Sequence, residues 1–315
     1  MSQRILVPLE GSVRDAESLA MARLIARQLD AEIVLMHVAP ILFDTEAVVA
    51  AEQRLDEYAQ ALRAEGIGAH FLMEYGDPSA AIAAAGERQK AEMIILAPEH
   101  RALFQTLWHP RISSGLLASA TVPLFILPDA APENIPAELL RDERAKVIVA
   151  VDGSANAEAA LPVALQLAQA YGRPLLLARI VAPAFIVGSG VAAMKARHDA
   201  QYAEEAEAHR YLVDLRQRLV GEGNRSVETA ELVGPVADQL IHLAASHPGS
   251  VLVMGTHGRS GLARAVVGSV AAEVMGRATA PVVVVPRHRP NDADKGAGVR
   301  GRSSQTQPTN EAGLS

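Results

Sequence analysis

Three glycines and one serine in the second half of the chain stand out by their spacing. Gly255, Gly258, Gly268 and Ser269 follow the apolar run at residues 251–254 in the pattern Gly-x2-Gly-x9-Gly-Ser. Glycine allows positive φ and lets a ligand approach the backbone closely. Ser269 is a good N-cap for the amphipathic segment that follows, and a helix amino terminus presents N–H groups and a positive dipole end to an anion. The pattern therefore predicts a phosphate-binding loop; the alternative is that these glycines only close a tight turn between strand and helix.

The segments around this loop indicate how it is positioned. Apolar residues recur at helical spacing at Leu161, Ala164, Leu165 and Ala168. Such segments alternate with short runs rich in β-branched residues, which are typical of buried strands in a parallel sheet. We predict an α/β fold with a doubly wound, five-stranded, Rossmann-like parallel sheet of strand order 3-2-1-4-5, in which ligands bind at the carboxyl ends of the strands. The runs lie at residues 147–151, 175–181, 227–233, 251–254 and 282–285.

The chain is an internal repeat. Residues 4–12 are echoed 142 residues later, and residues 121–128 are echoed 158 residues later. About 16 extra residues therefore lie between Val181 and Gly234, and the Gly/Ala-rich residues 183–193 are the predicted place. The predicted domains are residues 1–130 (copy one) and 145–287 (copy two), joined by a linker at 131–144. Residues 288–315 are polar and without periodicity, which predicts a disordered tail, with a partner-binding tail as the alternative.

Composition narrows the classes of function. The 315 residues carry a net charge of −7 and only 3% aromatic residues, which argues against nucleic-acid binding. Cysteine is absent, so disulfides, thiolate metal sites and thiol nucleophiles are excluded. No signal core and no apolar run of about 20 residues is present. From this we expect a cytoplasmic protein with no membrane partner.

The glycine motif, together with Val-Asp-Gly-Ser on the first strand of copy two, resembles the ATP-binding signature of the universal stress protein family. Residues 3–128 and 145–287 are similar to two tandem copies of that family's domain. The resemblance implies that ATP is the ligand, with Mg²⁺ as an additional expectation. It implies ribose or metal contact by Asp152, adenine contact by Ile180 and Met254, phosphate contact by Gly255, Gly258, Gly268 and Ser269, and a backbone N–H from Val270.

Some of these residues also have simpler interpretations. A carboxylate at the end of a strand can accept a ribose hydroxyl or hold a Mg²⁺ ion, but Asp152 also fits an Asp-Gly turn in which Ser154 caps the next helix. The arginines at positions 259, 264 and 277 are either phosphate-screening or merely solvated. His257 has no visible partner in the sequence and is interpreted as a polar loop residue.

Copy one has lost the motif. At the offset of 158, the four signature positions become Ala97, His100, Pro110 and Arg111, and Asp152 corresponds to Glu10. We therefore expect that copy one does not bind ATP in the family manner. Its loop instead carries Phe104, Leu107 and Trp108, which predict either packing within the domain or an interface.

The last strand of each copy is expected at the edge of its sheet, where an apolar strand must be covered. Because family members pair through this strand, we predict an internal pseudo-dimer of the two copies, with a homodimer of two chains as a further alternative. No catalytic constellation and no P-loop lysine is present, so we expect a regulatory or stress-response protein with an unknown protein partner rather than an enzyme. The alternatives are a slow ATPase, which a single-turnover assay tests, and an interaction module with a vestigial site.

Overall fold

The computed structural model of the chain describes residues 3–41, 45–98, 110–128, 142–183, 190–224, 226–256 and 267–286, with side chains of α4 described from residue 115. Several sequence predictions lie outside these residues. They are the tail, most of the linker, Gly258 and its neighbours His257, Arg259 and Arg264, and the copy-one residues His100, Phe104, Leu107 and Trp108.

Each copy alternates strands and helices. Copy one consists of β1 (Arg4–Pro8), α1 (Asp15–Leu29), β2 (Glu32–Ala39), α2 (Thr45–Ala64), β3 (Ala69–Tyr75), α3 (Pro78–Arg88), β4 (Met93–Leu96), α4 (Pro110–Ser119) and β5 (Leu124–Ile126). Copy two consists of β6 (Val147–Ala150), α5 (Ala155–Glu158), α6 (Leu161–Tyr171), β7 (Leu175–Val181), α7 (Val191–Gly221), β8 (Val227–Val233), α8 (Val236–Ala245), β9 (Val251–Gly255), α9 (Ser269–Arg277) and β10 (Val282–Val285).

Individual residues in the sequence determine where two of the helices begin or end. Asp77 is the N-cap of α3, where its carboxylate accepts the N–H of Ala80 at 2.9 Å and Pro78 occupies the first turn. Gly172 ends α6 in the left-handed conformation, with φ of 60°. Glycine adopts this conformation at little cost, so the chain turns there directly into β7.

The strands form one ten-stranded sheet in the order β3-β2-β1-β4-β5-β10-β9-β6-β7-β8. Within each copy the pairs are parallel and follow the predicted order 3-2-1-4-5. The order reverses between β1 and β4 in copy one, and between β6 and β9 in copy two. Crevices for ligands in open α/β sheets form at such switch points, beyond the carboxyl ends of the strands.

The two copies meet through their last strands, as the sequence predicts. β5 pairs antiparallel with β10, with Phe125 opposite Val283. Helices α1 and α6 also meet across this junction, where the Tyr171 hydroxyl donates to the sulfur of Met21 at 3.3 Å. Both apolar edge strands are therefore paired within the chain, which removes the hazard of open edges at this point.

Alternation along the strands divides the core between the two faces of the sheet. Ile5 of copy one and Val147 of copy two belong to one buried cluster, covered by α1, α2, α6 and α7. Leu6 and Ile148 belong to the other cluster, covered by α3, α4, α8 and α9. Each cluster contains residues of both copies, so the core is continuous across the β5–β10 junction.

The extra residues of copy two extend a helix. α7 has 31 residues, whereas its counterpart α2 has 20. The buried residues of α7 begin only at Ala208, and Val191 and Met194 near its amino terminus are 85% and 69% exposed. The insertion thus lies between Val181 and Gly234, as predicted, but much of it forms an exposed amino-terminal extension of α7 rather than only a loop at 183–193.

Phe125→Ala tests whether the junction unites the two copies. Phe125 is fully buried at the junction, so its truncation leaves a cavity and should lower the free energy of unfolding by about 3–5 kcal/mol. We expect a single shifted transition in denaturant unfolding followed by circular dichroism. The matched control Val233→Ala, at a strand end that is 46% exposed, should change the free energy by less than about 1 kcal/mol. Two separate transitions, of which only one shifts, would contradict the continuous core.

Candidate nucleotide-binding site

The predicted site residues of copy two meet at one switch point. β6 and β9 are neighbours in the sheet, with Val149 opposite Val253. Asp152 follows β6 by two residues, and Gly255 is the last residue of β9. The carboxyl ends of parallel strands lie at the same edge, so both residues lie at the switch point where ligand crevices form in such sheets.

The two ends of the glycine loop are held together. Thr256 is buried and its N–H donates to the carbonyl of Val285 at 3.1 Å, which ties the loop entrance to β10. The N–H of Gly268 donates to the carbonyl of Thr256 at 2.8 Å. The backbone therefore leaves β9 and enters α9 at nearly the same point on the sheet edge, which positions the first turn of α9 above the crevice.

Ser269 does not cap α9 as the sequence predicted. The N-cap is Gly268, which has no side chain to cap this end, and Ser269 is the first helical residue, with an exposed side chain. The first turn of any α-helix has N–H groups without helical partners. At α9 these belong to Ser269, Val270 and Ala271, and they form the positive end of the helix dipole.

The two described glycines of the loop do not need glycine for their backbone conformation. Gly268 has φ of −66° and ψ of 149°, an extended conformation open to any residue. Gly255 continues β9 opposite Val285 and is not among the described glycines with positive φ. Gly255 therefore does not use the positive φ that glycine allows. What glycine still provides at both positions is space for close approach of another group to the backbone.

Asp152 forms the turn that the alternative interpretation predicted. Its carboxylate accepts the N–H of Ser154 at 2.9 Å, and Gly153 has φ of 81°. The Ser154 hydroxyl in turn accepts the N–H of Ala157 at 3.2 Å and caps α5. An ionised carboxylate has about four lone-pair sites, and the Ser154 N–H uses one of those of Asp152. The turn role is observed, and it fixes the orientation of the carboxylate at the crevice.

Apolar residues lie at the ends of the strands around this switch point. Ile180 at the end of β7 and Met254 at the end of β9 are 8% and 5% exposed and belong to the same buried cluster. Between these strands, β6 contributes the small residue Ala150, which is half-buried. Val270, also half-buried, packs against this cluster from α9.

Two further residues near the site were missed from the sequence. Tyr211 of α7 donates to Glu158 at 3.1 Å, and burial, followed by the charges of Glu158 and Asp152, raises its pKa. Tyr211 therefore lies near Asp152. Arg179 of β7 is only 4% exposed, directly before Ile180 and facing the opposite side of the sheet. Tyr211 fits the helical pattern of α7, so the sequence gives no signal for it. Arg179 is the one charged residue within the apolar run at 175–181, and that interruption could have singled it out.

Arg277 does not serve the site. Its guanidinium lies 2.7 Å from Asp238 and also pairs with Glu273, and these carboxylates raise its pKa. It is the last residue of α9, eight residues and thus about 12 Å along the helix from Ser269. The structure therefore supports the interpretation of Arg277 as a solvated surface residue, here paired with carboxylates, and not as a residue that screens phosphate charge.

The described residues include no group of three or more His, Asp or Glu side chains that could hold a metal ion. A Mg²⁺ ion usually takes one or two carboxylates together with phosphate oxygens of its ligand. Asp152 alone fits that pattern only when a phosphate is present. No described helix is long and apolar enough to cross a membrane.

Comparison with known proteins identifies the family. The model of the universal stress protein family matches residues 1–128 and 143–286. The chain belongs to the universal stress protein family. A universal stress protein of Mycobacterium tuberculosis is 32% identical over 141 residues, which cover 44% of this chain and 94% of that protein.

A solved universal stress protein from Archaeoglobus fulgidus has the same tandem fold. It superposes with a TM-score of 0.66 at 21% identity, covering 91% of this chain and all of that one. Another universal stress protein from this organism was solved in complex with dAMP, but at a TM-score of 0.33 and 15% identity its likeness carries no argument about this chain. The tandem arrangement is therefore shared with a relative over nearly the whole length.

The helix caps assigned in this universal stress protein predict that alanine substitutions of Ser154 and Ser269 lower the free energy of unfolding by different amounts. Ser154→Ala removes an observed N-cap and should lower the free energy of unfolding by about 1 kcal/mol. Ser269→Ala removes no cap and should change it by less than about 0.5 kcal/mol. Denaturant unfolding of the nucleotide-free protein measures both. An equal loss for the two variants would mean that Ser269 caps α9 after all.

Proposed function

We propose that copy two of this universal stress protein binds ATP at the switch point between β6 and β9 and acts as a nucleotide-dependent regulator. One observation carries the proposal. Gly255 and Gly268 lie at the two ends of a loop that closes at this switch point, in conformations that any residue adopts. Glycine at both positions is explained by close approach of a ligand to the backbone, and not by the turn.

The triphosphate is held by backbone groups. The first turn of α9 offers the N–H groups of Ser269 and Val270 at the positive end of the helix, and the exposed Ser269 hydroxyl adds a donor. Gly258, from the sequence motif, is assigned to the same phosphates. Hydrogen bonds to charged groups contribute about 1.5–3 kcal/mol each, so a few such bonds suffice for specific binding.

The nucleoside lies across the ends of the neighbouring strands. The apolar surface of Ile180 and Met254, with the small Ala150 between them, accepts the planar adenine. Asp152, fixed by its bond from the Ser154 N–H, accepts a ribose hydroxyl or holds a Mg²⁺ ion bound to the phosphates. Tyr211 lies on the Asp152 side of the crevice and extends this polar wall.

Regulation, and not turnover, is the proposed role. Asp152 is the only described acidic residue of the motif, and its carboxylate already supports the turn at the crevice. A nucleotide bound at the amino terminus of α9 changes the charge of this surface. A protein partner that contacts the surface then senses the nucleotide. A homodimer of two chains and a cytoplasmic location belong to the same proposal.

We propose one nucleotide per chain, bound as intact ATP. Extraction of the purified protein, with identification of the nucleotide by mass, should recover ATP and not ADP, at a stoichiometry near one. In calorimetric titration, Gly268→Val should weaken ATP binding by more than about tenfold, because the valine side chain blocks approach to the N–H groups of α9. Because the backbone at Gly268 accepts any residue, the variant should keep its fold.

Arg277→Gln is the matched control on the same helix. It removes a charge at the opposite end of α9 and should leave ATP affinity unchanged. A stoichiometry of two would show that copy one also binds nucleotide. Recovery of ADP alone, or unchanged affinity in Gly268→Val, would contradict the proposal.

The Asp152→Asn substitution distinguishes the role of Asp152 in the turn from the role of its charge in ATP binding. Asparagine keeps an oxygen to accept the Ser154 N–H, so stability should change by less than about 0.5 kcal/mol. Loss of the charged acceptor should weaken ATP binding by about tenfold or more. If the loss occurs only with Mg²⁺ present, Asp152 holds the metal; if it occurs with and without Mg²⁺, Asp152 binds the ribose. Unchanged affinity in both conditions would leave Asp152 with the turn role alone.

A further inference from the structure

The ten-stranded sheet has two outer edges, one in each copy. β3 of copy one and β8 of copy two are the terminal strands, and among the described strands each pairs with one neighbour only. A terminal strand presents a row of backbone N–H and C=O groups on its outer side, which is a template for pairing with another chain. The two edges of this sheet differ in how well they are protected against such pairing.

The hydrogen bonds between β2 and β3 show which backbone groups of β3 point outward. The carbonyl of Gly68, just before β3, accepts the N–H of Ile33 in β2 at 2.8 Å. Gly76, just after β3, also donates its N–H to β2, at 3.0 Å. Even-numbered residues of this segment therefore bind β2. Because the direction of the backbone groups alternates along a strand, the N–H and C=O groups of Phe71 and Met73 point away from the sheet.

One outward group at the start of each edge strand is used by an arginine. The Arg63 guanidinium of α2 donates to the carbonyl of Ala69 at 2.8 Å. In copy two, the Arg216 guanidinium of α7 donates to the carbonyl of Val227, the counterpart of Ala69, at 2.9 Å. The two edges are thus alike at their amino-terminal ends, and they differ farther along each strand.

The side chains of β8 oppose pairing, whereas those of β3 favour it. β8 carries Glu228 and Glu231, both exposed, and charged side chains of this kind protect an edge strand. At the centre of β3, Phe71 and Met73 pack against one core cluster and Leu72 against the other, and all three are half-buried. β3 is therefore apolar on both faces at the point where its outward backbone groups lie.

The helices next to β3 cover its faces and not its edge. Leu55 and Leu62 of α2 belong to the core cluster on one face of the sheet, and Ile82 of α3 belongs to the cluster on the other face. Both helices therefore lie above and below the sheet, and not in its plane. An added strand in the plane of the sheet would meet the backbone of β3 directly.

The sequence of β3 is complementary to itself in one antiparallel register. When Leu72 lies opposite Leu72 of a second copy, Phe71 lies opposite Met73, and His70 lies opposite Glu74. Phe71 and Met73 are then hydrogen-bonded pairs, in which the outward N–H and C=O groups of both residues are used. A shift of two residues in either direction would place Leu72 opposite His70 or Glu74. The register centred on Leu72 matches apolar with apolar residues and keeps the two Glu74 carboxylates apart.

We propose that β3 pairs antiparallel with β3 of a second copy of this chain, about a two-fold axis at Leu72. The interface is the same patch on both chains and therefore closes, and the charged edge at β8 stops further growth, so the product is a dimer and not a fibre. The chain already joins its own apolar edges in this way, through the three-residue ladder between β5 and β10. The pairing gives the homodimer of the proposed function its surface and rests on that part of it, but not on nucleotide binding.

Substitutions at the centres of the two edge strands test the proposal on the full-length protein. In sedimentation equilibrium, the mass of the parent should rise with concentration toward twice 33.3 kDa. Leu72→Lys places two ammonium groups directly opposite each other and should raise the dissociation constant of the dimer by about tenfold or more. Ala230→Lys, at the equivalent position of β8, should leave the dissociation constant unchanged. A parent that is monomeric at all concentrations, or equal dissociation constants for the two variants, would overturn the proposal.

Single cysteines determine the register, because the chain has no cysteine of its own. Residues opposite each other in a non-hydrogen-bonded pair have Cα atoms about 4.5 Å apart, which a disulfide spans, whereas diagonal neighbours lie about 7–8 Å apart, which a disulfide does not span. Under mild oxidation, Leu72→Cys should therefore form disulfide-linked dimers at least about tenfold faster than Phe71→Cys or Met73→Cys. Ala230→Cys should also crosslink slowly. Non-reducing electrophoresis measures all four rates, and it tests the pairing independently if Leu72→Lys does not fold.

The crosslinking rates and an ATP titration keep the conclusions separate. Faster crosslinking of Phe71→Cys or Met73→Cys than of Leu72→Cys would overturn the proposed pairing, and so would Ala230→Cys at the rate of Leu72→Cys. The ATP affinity of Leu72→Lys should equal that of the parent. A dimer that binds no ATP would contradict the nucleotide proposal alone, and a monomeric parent that binds ATP would contradict the β3 pairing alone.

Discussion

Three residues of β5 pair antiparallel with three residues of β10, and this short ladder joins two five-stranded sheets into one. Each partner would otherwise be an apolar edge strand, with unpaired N–H and C=O groups beside Phe125 and Val283. Pairing them within the chain brings the two switch points onto one continuous sheet. It also allows both buried clusters to cross the junction, so that neither copy has a core entirely of its own.

On this shared frame the two copies have different chemistry at equivalent positions. The turn after the first strand holds Asp152 in copy two, with an N–H bond from Ser154, whereas in copy one Asp15 reaches back to the N–H groups of Glu10 and Gly11. In the first arrangement, the carboxylate that follows the strand accepts the N–H of the turn that it begins. The second uses the backbone donors internally. Gene duplication with divergence at the strand ends is sufficient to produce this asymmetry, because the frame depends on residues within the strands.

Much of the frame could be predicted from the sequence because buried parallel strands are continuous apolar runs. The bounds of β7, β8 and β10 agree with those runs, and β6 and β9 differ by one residue at their ends. The extension of α7 could not be predicted, because its residues have no apolar face and are exposed. The N-cap of α9 and the φ of Gly255 depend on how Thr256 binds Val285 and Gly268, which no local pattern encodes. Tyr211 reaches Asp152 only through tertiary packing.

Helix α9 is common to both crevices. Its first residue, Ser269, borders the switch point of copy two, and Met275, six residues and about 9 Å farther along the axis, lines a cavity at the switch point of copy one. A helix is stiff over this distance, so a shift at its amino terminus displaces Met275 as well. Beside the β5–β10 ladder, the copies are thus also connected by a side chain of copy two that lines the cavity of copy one.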